Sequence, residues 1–138
     1  MNTSLVICVI DDDGTYQFYM KKIISSLNVP NQILSFGDGE EAIDYLTNNI
    51  TNVSILPNII FLDINMPIMD GWQFIDEYIL LKPRIGKKII IYMVSSSNNE
   101  HDIAHAKRIS EISDYLIKPV TLDQMRDLIG TLQLGSSL

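Results

Sequence analysis

At 138 residues, 46% of them apolar, the chain is long enough to bury one sizeable core and too short for two ordinary domains. Acidic residues outnumber basic ones by 17 to 10, and the formal net charge of −7 argues against direct binding to nucleic acid. No apolar stretch approaches the roughly 20 residues that span a bilayer, and the N-terminus lacks the pattern of a signal peptide. The single cysteine, Cys8, cannot form an internal disulfide, so we expect a protein of the reducing cytoplasm.

Short apolar runs of the kind found in buried parallel strands recur along the chain. In order they are LVICVI (5–10), QILSF (32–36), NIIFL (58–62), KIIIYMV (88–94) and DYLI (114–117). Each run is almost continuously apolar or β-branched, as central strands are when both faces of a sheet are covered. The sequence therefore predicts five strands.

Between these runs, apolar residues recur at the spacing of a helix face. The predicted helices carry these stripes: Tyr16, Tyr19, Met20, Ile23, Ile24 and Leu27, closed by Pro30; Ala42, Ile43 and Leu46; Trp72, Ile75, Ile79 and Leu80, ended by Pro83; Ile103, Ala106 and Ile109, over about 99–109; and Leu122, Met125, Leu128, Ile129 and Leu132. The alternation predicts an α/β fold, a doubly wound parallel sheet with helices on both faces. We expect one domain over 1–138, with a core of about 4–134, a frayed tail at 135–138 and no output domain.

Polar residues follow the predicted strands, and ligands of such sheets bind beyond the carboxyl ends of the strands. Asp11 and Asp12 follow strand one and Asp63 follows strand three; strand four ends at Ser95 and strand five at Lys118. Crowded carboxylates resist simultaneous ionisation unless a cation neutralises them, and Mg²⁺ prefers such oxygen ligands. This constellation indicates phosphoryl transfer to an aspartate, with the hydroxyl and the ammonium holding phosphoryl oxygens.

The acids after strand one also admit a second interpretation. Asp11, Asp13, Gly14 and Thr15 match the D-x-D-G-T motif of haloacid dehalogenase-like phosphatases, in which the first Asp attacks phosphorus. The metal-binding acids of that family come near the end of a longer domain, after a separate lysine. The similar segment here, around Asp38, follows soon after the first motif, and a helix cap is the preferred interpretation of that residue. The phosphatase is kept as the alternative function.

Two other classes of site fit the sequence less well. The segment HDIAH (101–105) places two histidines on one helix face as in zinc proteases, but it lacks the glutamate base and any evident third ligand. A flavodoxin-like electron carrier would need a phosphate loop rich in Ser, Thr and Gly after strand one, where three acids stand instead.

Four segments carry a specific family resemblance. IDDD, FLDINMPIMDGW, MVSSS and DYLIKPV resemble the four signature blocks of response-regulator receiver domains, in the family's order and spacing, over about residues 4–134. The resemblance implies a flavodoxin-like, five-stranded parallel sheet of strand order 2-1-3-4-5. It also implies a single-domain regulator of bacterial two-component signalling, related to the chemotaxis protein CheY.

The resemblance assigns roles to individual residues. It implies that Asp63 accepts the phosphoryl group, and that Lys118, before a cis peptide bond to Pro119, contacts it. For Mg²⁺ it implies Asp12 and Asp63 as direct ligands, the backbone carbonyl of Asn65 as a further one, and Asp11 mainly through water. Ser95, where the family more often has Thr, matches the switch hydroxyl and Tyr115 the aromatic switch; Asn65 and Ser97 match positions that tune dephosphorylation.

The expected function is that of a signalling switch and not of a metabolic enzyme. A sensor histidine kinase or a histidine phosphotransfer protein would donate the phosphoryl group in a Mg²⁺-dependent reaction that the domain assists. Phosphorylation would then alter binding of a downstream protein to the face built from the fourth helix, the fifth strand and the fifth helix. We expect no direct contact with nucleic acid or membrane, and a monomer or weak dimer.

Overall fold

The computed structural model describes residues 4–136 of the chain. The strands are β1 (Leu5–Ile10), β2 (Asn31–Phe36), β3 (Ile59–Leu62), β4 (Ile90–Ser95) and β5 (Ile112–Ile117). The helices are α1 (Gly14–Ser25), α2 (Gly39–Asn48), α3 (Gly71–Leu81), α4 (Glu100–Lys107) and α5 (Leu122–Ser136), with short 3₁₀ turns at Val53–Ile55 and Lys82–Arg84. The predicted alternation of strands and helices is confirmed.

All strand pairs are parallel, and the sheet has the order β2-β1-β3-β4-β5. This is the order that the family resemblance implies. The β5 strand begins at Ile112, two residues before its predicted start. The α5 helix runs to Ser136, and residues 137 and 138 of the predicted tail lie outside the described residues.

Two apolar cores lie on opposite faces of the sheet. One contains Ile10 and Met93 of the sheet and packs against α2, α3 and α4 through Leu46, Phe74 and Ala106. The other contains Ile7 and Phe61 and packs against α1 and α5 through Met20, Met125 and Ile129. Both faces of the sheet are covered, and the central strands β1 and β3 are accordingly apolar along their whole length.

The predicted inward stripe of α3 is wrong in part. Ile75 is buried, but Leu80 is 73% exposed and Ile79 is 39% exposed. The buried face consists of Phe74, Ile75 and Tyr78 instead. This helix is apolar on most of its circumference, so its sequence offers two overlapping stripes and only packing against the sheet selects one. On α5, Leu122 is also more exposed than predicted, at 37%.

Aspartates cap three helices at the edge of the sheet where the strands end. Asp13 accepts hydrogen bonds from the backbone N–H groups of Thr15 and Tyr16 at the start of α1. Asp38, the predicted cap, accepts from Glu41 N–H, and Asp70 caps α3. Each cap satisfies N–H groups that a helix leaves unpaired at its first turn.

Within residues 4–136, no helix combines the length and the apolar character needed to cross a membrane.

Candidate functional site

The sheet brings the strand ends to one level. Asp63 N–H donates to the carbonyl of Ile10 at 2.9 Å, so the ladder between β1 and β3 continues one residue past the end of β3. Lys118 N–H likewise donates to the carbonyl of Ser95 at 2.9 Å, next to the end of β4. The side chains that leave these neighbouring strands therefore meet at one edge of the sheet, as parallel strands require.

Three acids form a compact group at this edge. The carboxylate oxygens of Asp11, Asp12 and Asp63 lie within 4.8 Å of one another. Asp11 is 3% exposed and Asp63 is 7% exposed, whereas Asp12 faces solvent. Burial, together with the negative charge of Asp11, raises the pKa of Asp63 to about 6, although Lys118 acts in the opposite direction. The negative charge of the three acids is therefore not fully neutralised by Lys118.

Lys118 reaches into the acid group from the end of β5. Its Nζ lies 2.7 Å from Asp11 Oδ2 and 3.6 Å from Asp63 Oδ1. Burial alone would lower the pKa of Lys118, but the hydrogen bond and charge of Asp11, with the charge of Asp63, outweigh it and raise the pKa. The peptide bond to Pro119 is cis, the conformation that the family resemblance implies.

Tyr16 supports Lys118, a contact that the sequence did not reveal. The ammonium lies 4.6 Å from the centroid of the Tyr16 ring, where a cation is attracted to the ring face. The hydroxyl of Tyr16 also accepts a hydrogen bond from Val120 N–H at 3.3 Å. The sequence pattern predicts for Tyr16 only a place on the apolar stripe of the first helix. Its position three residues after Asp13, in the first turn of α1, is the signal that could have indicated a contact with the site.

The loop between β3 and α3 folds tightly behind Asp63. Gly71 N–H donates to the carbonyl of Ile64 at 2.8 Å, and a Cβ on Gly71 would overlap the carbonyl oxygen of Asp63. Only glycine permits this close approach. Asn65, in the same loop, is exposed two residues beyond Asp63.

The predicted switch residues are linked through the loop that follows β4. Ser95 is buried, and its Oγ accepts a hydrogen bond from Ser97 N–H at 3.1 Å. The Tyr115 hydroxyl donates to the carbonyl of Ser97 at 2.8 Å. A hydroxyl carries one donor and two acceptor positions, so this contact leaves the Ser95 proton available for another oxygen.

The acid group fits a hard divalent cation. Its ligand atoms are carboxylate oxygens, which Mg²⁺ prefers. A cation there would offset both causes of the raised pKa of Asp63, its burial and the negative charge of Asp11. In the part of the chain that the structure describes, no other group of three acids, histidines or cysteines is close enough to hold a metal. The histidine pair is not part of such a group, and His105 stacks on Trp72 with 3.9 Å between ring centroids.

Comparison with known families decides the class of the protein. The model of the response regulator receiver domain matches residues 7–130, which include the acid group, Ser95 and Lys118. The chain belongs to this family. Receiver domains are signalling phosphoacceptors that bind Mg²⁺ in an acidic pocket and interact with histidine kinases and phosphotransfer proteins.

Similar receiver proteins cover nearly the whole chain. A two-component response regulator from Cytophaga hutchinsonii has 30% sequence identity and a TM-score of 0.84, covering 96% of this chain and 98% of that one. The phosphorylated cyanobacterial phytochrome response regulator RcpA has 26% identity and a TM-score of 0.74, with coverages of 94% and 91%. The response regulator Rcp1 of Synechocystis is 24% identical over 129 residues, which are 93% of this chain and 86% of Rcp1.

The structure does not support the phosphatase interpretation of the acid triplet. A phosphatase of the type considered would use Asp11 and Asp13 together, but Asp13 caps α1 and does not belong to the acid group. Asp11 is bound by Lys118. The family match assigns the chain to receiver domains, and the strand order is the flavodoxin-like order that this family has.

Proposed function

We propose that the domain accepts a phosphoryl group on Asp63. The observation that carries this proposal is the position of Asp63 within the acid group, beside Lys118. Its Oδ1 accepts a hydrogen bond from Ile64 N–H at 2.9 Å and lies 3.6 Å from Lys118 Nζ. Among the described residues, Oδ2 has no hydrogen-bond partner, so this oxygen is available to attack phosphorus.

The donor would be a phosphohistidine of a sensor kinase or of a phosphotransfer protein. A bond forms between Asp63 Oδ2 and phosphorus while the bond from phosphorus to the donor imidazole nitrogen breaks. The electron pair of the broken bond stays on that nitrogen, and Asp63 becomes an aspartyl phosphate. The domain assists this transfer by positioning its own groups around the phosphorus.

Metal binding would use the acid group. Asp12 and Asp63 would hold Mg²⁺ directly, the backbone carbonyl of Asn65 would add a ligand, and Asp11 would act mainly through water. When bound, Mg²⁺ supplies positive charge that offsets the charge on the phosphoryl oxygens. Asp11 also anchors Lys118, whose Nζ lies 2.7 Å from it, so the ammonium is held beside the oxygens of the incoming group.

Ser95 and Tyr115 would transmit the modification. The free Ser95 proton can be donated to a phosphoryl oxygen while Ser97 N–H continues to bind the same hydroxyl. The Tyr115 hydroxyl binds the carbonyl of Ser97, so movement of Ser95 reaches β5 through one loop residue. We propose that this changes the binding of a downstream protein to the face formed by α4, β5 and α5. The relative RcpA is described as phosphorylated, which supports phosphorylation of this chain.

Intact-mass spectrometry after incubation with acetyl phosphate and Mg²⁺ tests the proposal. The wild-type chain is expected to gain one phosphoryl group, and EDTA should prevent the gain. Asp63→Asn keeps the shape of the side chain but removes the nucleophile, and it should gain none. A gain of mass by Asp63→Asn, with none by Asp11→Asn, would instead make Asp11 the acceptor and overturn the proposal.

A further inference from the structure

Ser97 joins three elements of the domain. Its N–H donates to Ser95 Oγ at the end of β4, and its carbonyl accepts from the Tyr115 hydroxyl of β5. Its side chain turns towards α4, where Ser97 Oγ donates to Asp102 Oδ2 at 3.1 Å. A single loop residue therefore connects the proposed phosphate-binding hydroxyl, the aromatic switch and the first turn of α4.

The proton and one acceptor position of the Ser97 hydroxyl are used on the side of α4. The proton goes to Asp102, and the oxygen accepts from Asn99 N–H at 3.1 Å. Asn99 itself caps α4 by accepting from His101 N–H. Asp102 is half-buried, so its carboxylate fixes Ser97 more firmly than a solvent-exposed partner would.

We propose that Asp102 is a positioning residue that prolongs the aspartyl phosphate by holding Ser97 against α4. This inference rests on the proposed function and deepens it. In hydrolysis, a water oxygen bonds to phosphorus while the bond from phosphorus to the Asp63 oxygen breaks. Inorganic phosphate leaves, the Asp63 carboxylate is restored, and the proton of the water passes to solvent.

The N–H of Ser97 binds Ser95 Oγ, so the loop that carries Ser97 lies beside the proposed phosphate contact, and we infer that the attacking water passes this loop. Held by Asp102, the hydroxyl of Ser97 has no proton to offer elsewhere. Without Asp102, the hydroxyl can bind and orient water, and the loop loses one of its anchors. Both effects favour the attack of water on phosphorus.

Decay of the phosphorylated domain, measured by intact mass after removal of acetyl phosphate, tests the inference. Asp102→Ala is expected to shorten the lifetime roughly three- to tenfold, the range that loss of one hydrogen bond produces. Asp102→Asn, whose amide oxygen still accepts from Ser97, should fall between Asp102→Ala and wild type. Glu100→Ala is the matched control, because it removes an acid from the same helical turn that does not contact Ser97, and it should decay as wild type does.

A double-mutant cycle separates positioning from general loosening of the helix. If Asp102 acts through Ser97, adding Asp102→Ala to Ser97→Ala should change the lifetime little. A full effect of Asp102→Ala in that background overturns the inference, as does equal decay of Asp102→Ala and Glu100→Ala. In both cases the chains still gain the phosphoryl group, so the proposed function stands. If wild type gains no phosphoryl group, the proposed function fails and the inference fails with it.

Discussion

Ile68, in the loop between β3 and α3, has an unfavourable backbone conformation. Its φ is 67°, and the hydrogen bond from Met69 N–H to the carbonyl of Pro67, at 2.6 Å, closes a three-residue turn around it. β-branched residues rarely adopt positive φ, and the cost is about 1 to 3 kcal/mol. The side chain is 74% exposed, so packing of the side chain contributes little stability to offset this strain.

Replacing Ile68 by glycine should therefore stabilise the domain. We expect a gain of about 0.5 to 1 kcal/mol, because relief of the strain exceeds the added freedom of glycine in the unfolded chain. Leu80→Gly is the control: Leu80 is 73% exposed but lies in a helix, where glycine should cost about 1 kcal/mol. Urea unfolding measures both, and equal destabilisation by the two variants would show that Ile68 is not strained.

The raised pKa of Asp63 has a consequence for the stability of the metal-free domain. A carboxyl whose pKa is about 6 when folded and 3.8 ordinarily binds protons more readily in the folded state, so its contribution to stability falls as pH rises between these values. Asp63→Asn removes the ionisable group and with it this loss of stability at higher pH. It should stabilise the domain by about 1 to 2 kcal/mol near pH 7, allowing for solvent screening, and much less near pH 4.

Thermal unfolding in EDTA across this pH range checks the expectation. Asp44→Asn, which removes an exposed acid of α2, controls for the loss of one negative charge. A difference between wild type and Asp63→Asn that is the same near pH 4 and near pH 7 would count against the assigned cause.

At the scale of elements, α3 depends on its first turn. Asp70 Oδ1 accepts from Gln73 N–H at 2.9 Å, and Gln73 Oε1 accepts from Asp70 N–H at 2.9 Å. Asp70→Ala removes one half of this capping box and should cost about 1 to 2 kcal/mol in the free energy of unfolding. Asp76→Ala, an exposed acid further along the same helix, should change it by less than about 0.5 kcal/mol. Chemical denaturation compares them, and similar losses would argue against the cap.

The strands were easier to predict than the orientation of the helices. The central strands β1 and β3 are isolated apolar runs, and covering both faces of the sheet leaves such a run few alternatives. The α3 helix shows the limit of helix periodicity. Trp72 and Ile79 fit one apolar stripe and Phe74 and Tyr78 fit another, and only Phe74 and Tyr78 are buried. Packing of the helix on the sheet, a tertiary property, makes that choice.

At the scale of the whole molecule, the parallel sheet explains why much of the site was predictable. Asp11, Asp63 and Lys118 are distant in sequence, yet each leaves a strand at the same edge. The sequence could not predict the contact of Ser97 with Asp102, because that contact depends on the loop conformation and on the rotation of α4. The single-domain organisation, the cytoplasmic location and the oligomeric state stay predictions.

The proposed switch predicts a response that extends beyond the acid group. Beryllium fluoride with Mg²⁺ mimics the phosphoryl group, and its addition should change NMR chemical shifts in α4 and β5, over about residues 104–118, as well as around Asp63. The path is the pair of hydrogen bonds from Ser97 to Ser95 and from Tyr115 to Ser97. Asp63→Asn should abolish these changes. Shifts confined to the vicinity of Asp63 in the wild-type protein would contradict the switch.

The most direct test of the account is to locate the modified residue. Borohydride reduces an aspartyl phosphate to homoserine, so reduction of the domain after incubation with acetyl phosphate and Mg²⁺ marks the acceptor permanently. Mass spectrometry of the proteolytic peptides should then find homoserine at position 63 and unmodified aspartate at positions 11, 12 and 13. Homoserine at position 11, or a phosphorylated chain with aspartate unchanged at position 63, would contradict the assignment of Asp63 as the phosphoacceptor.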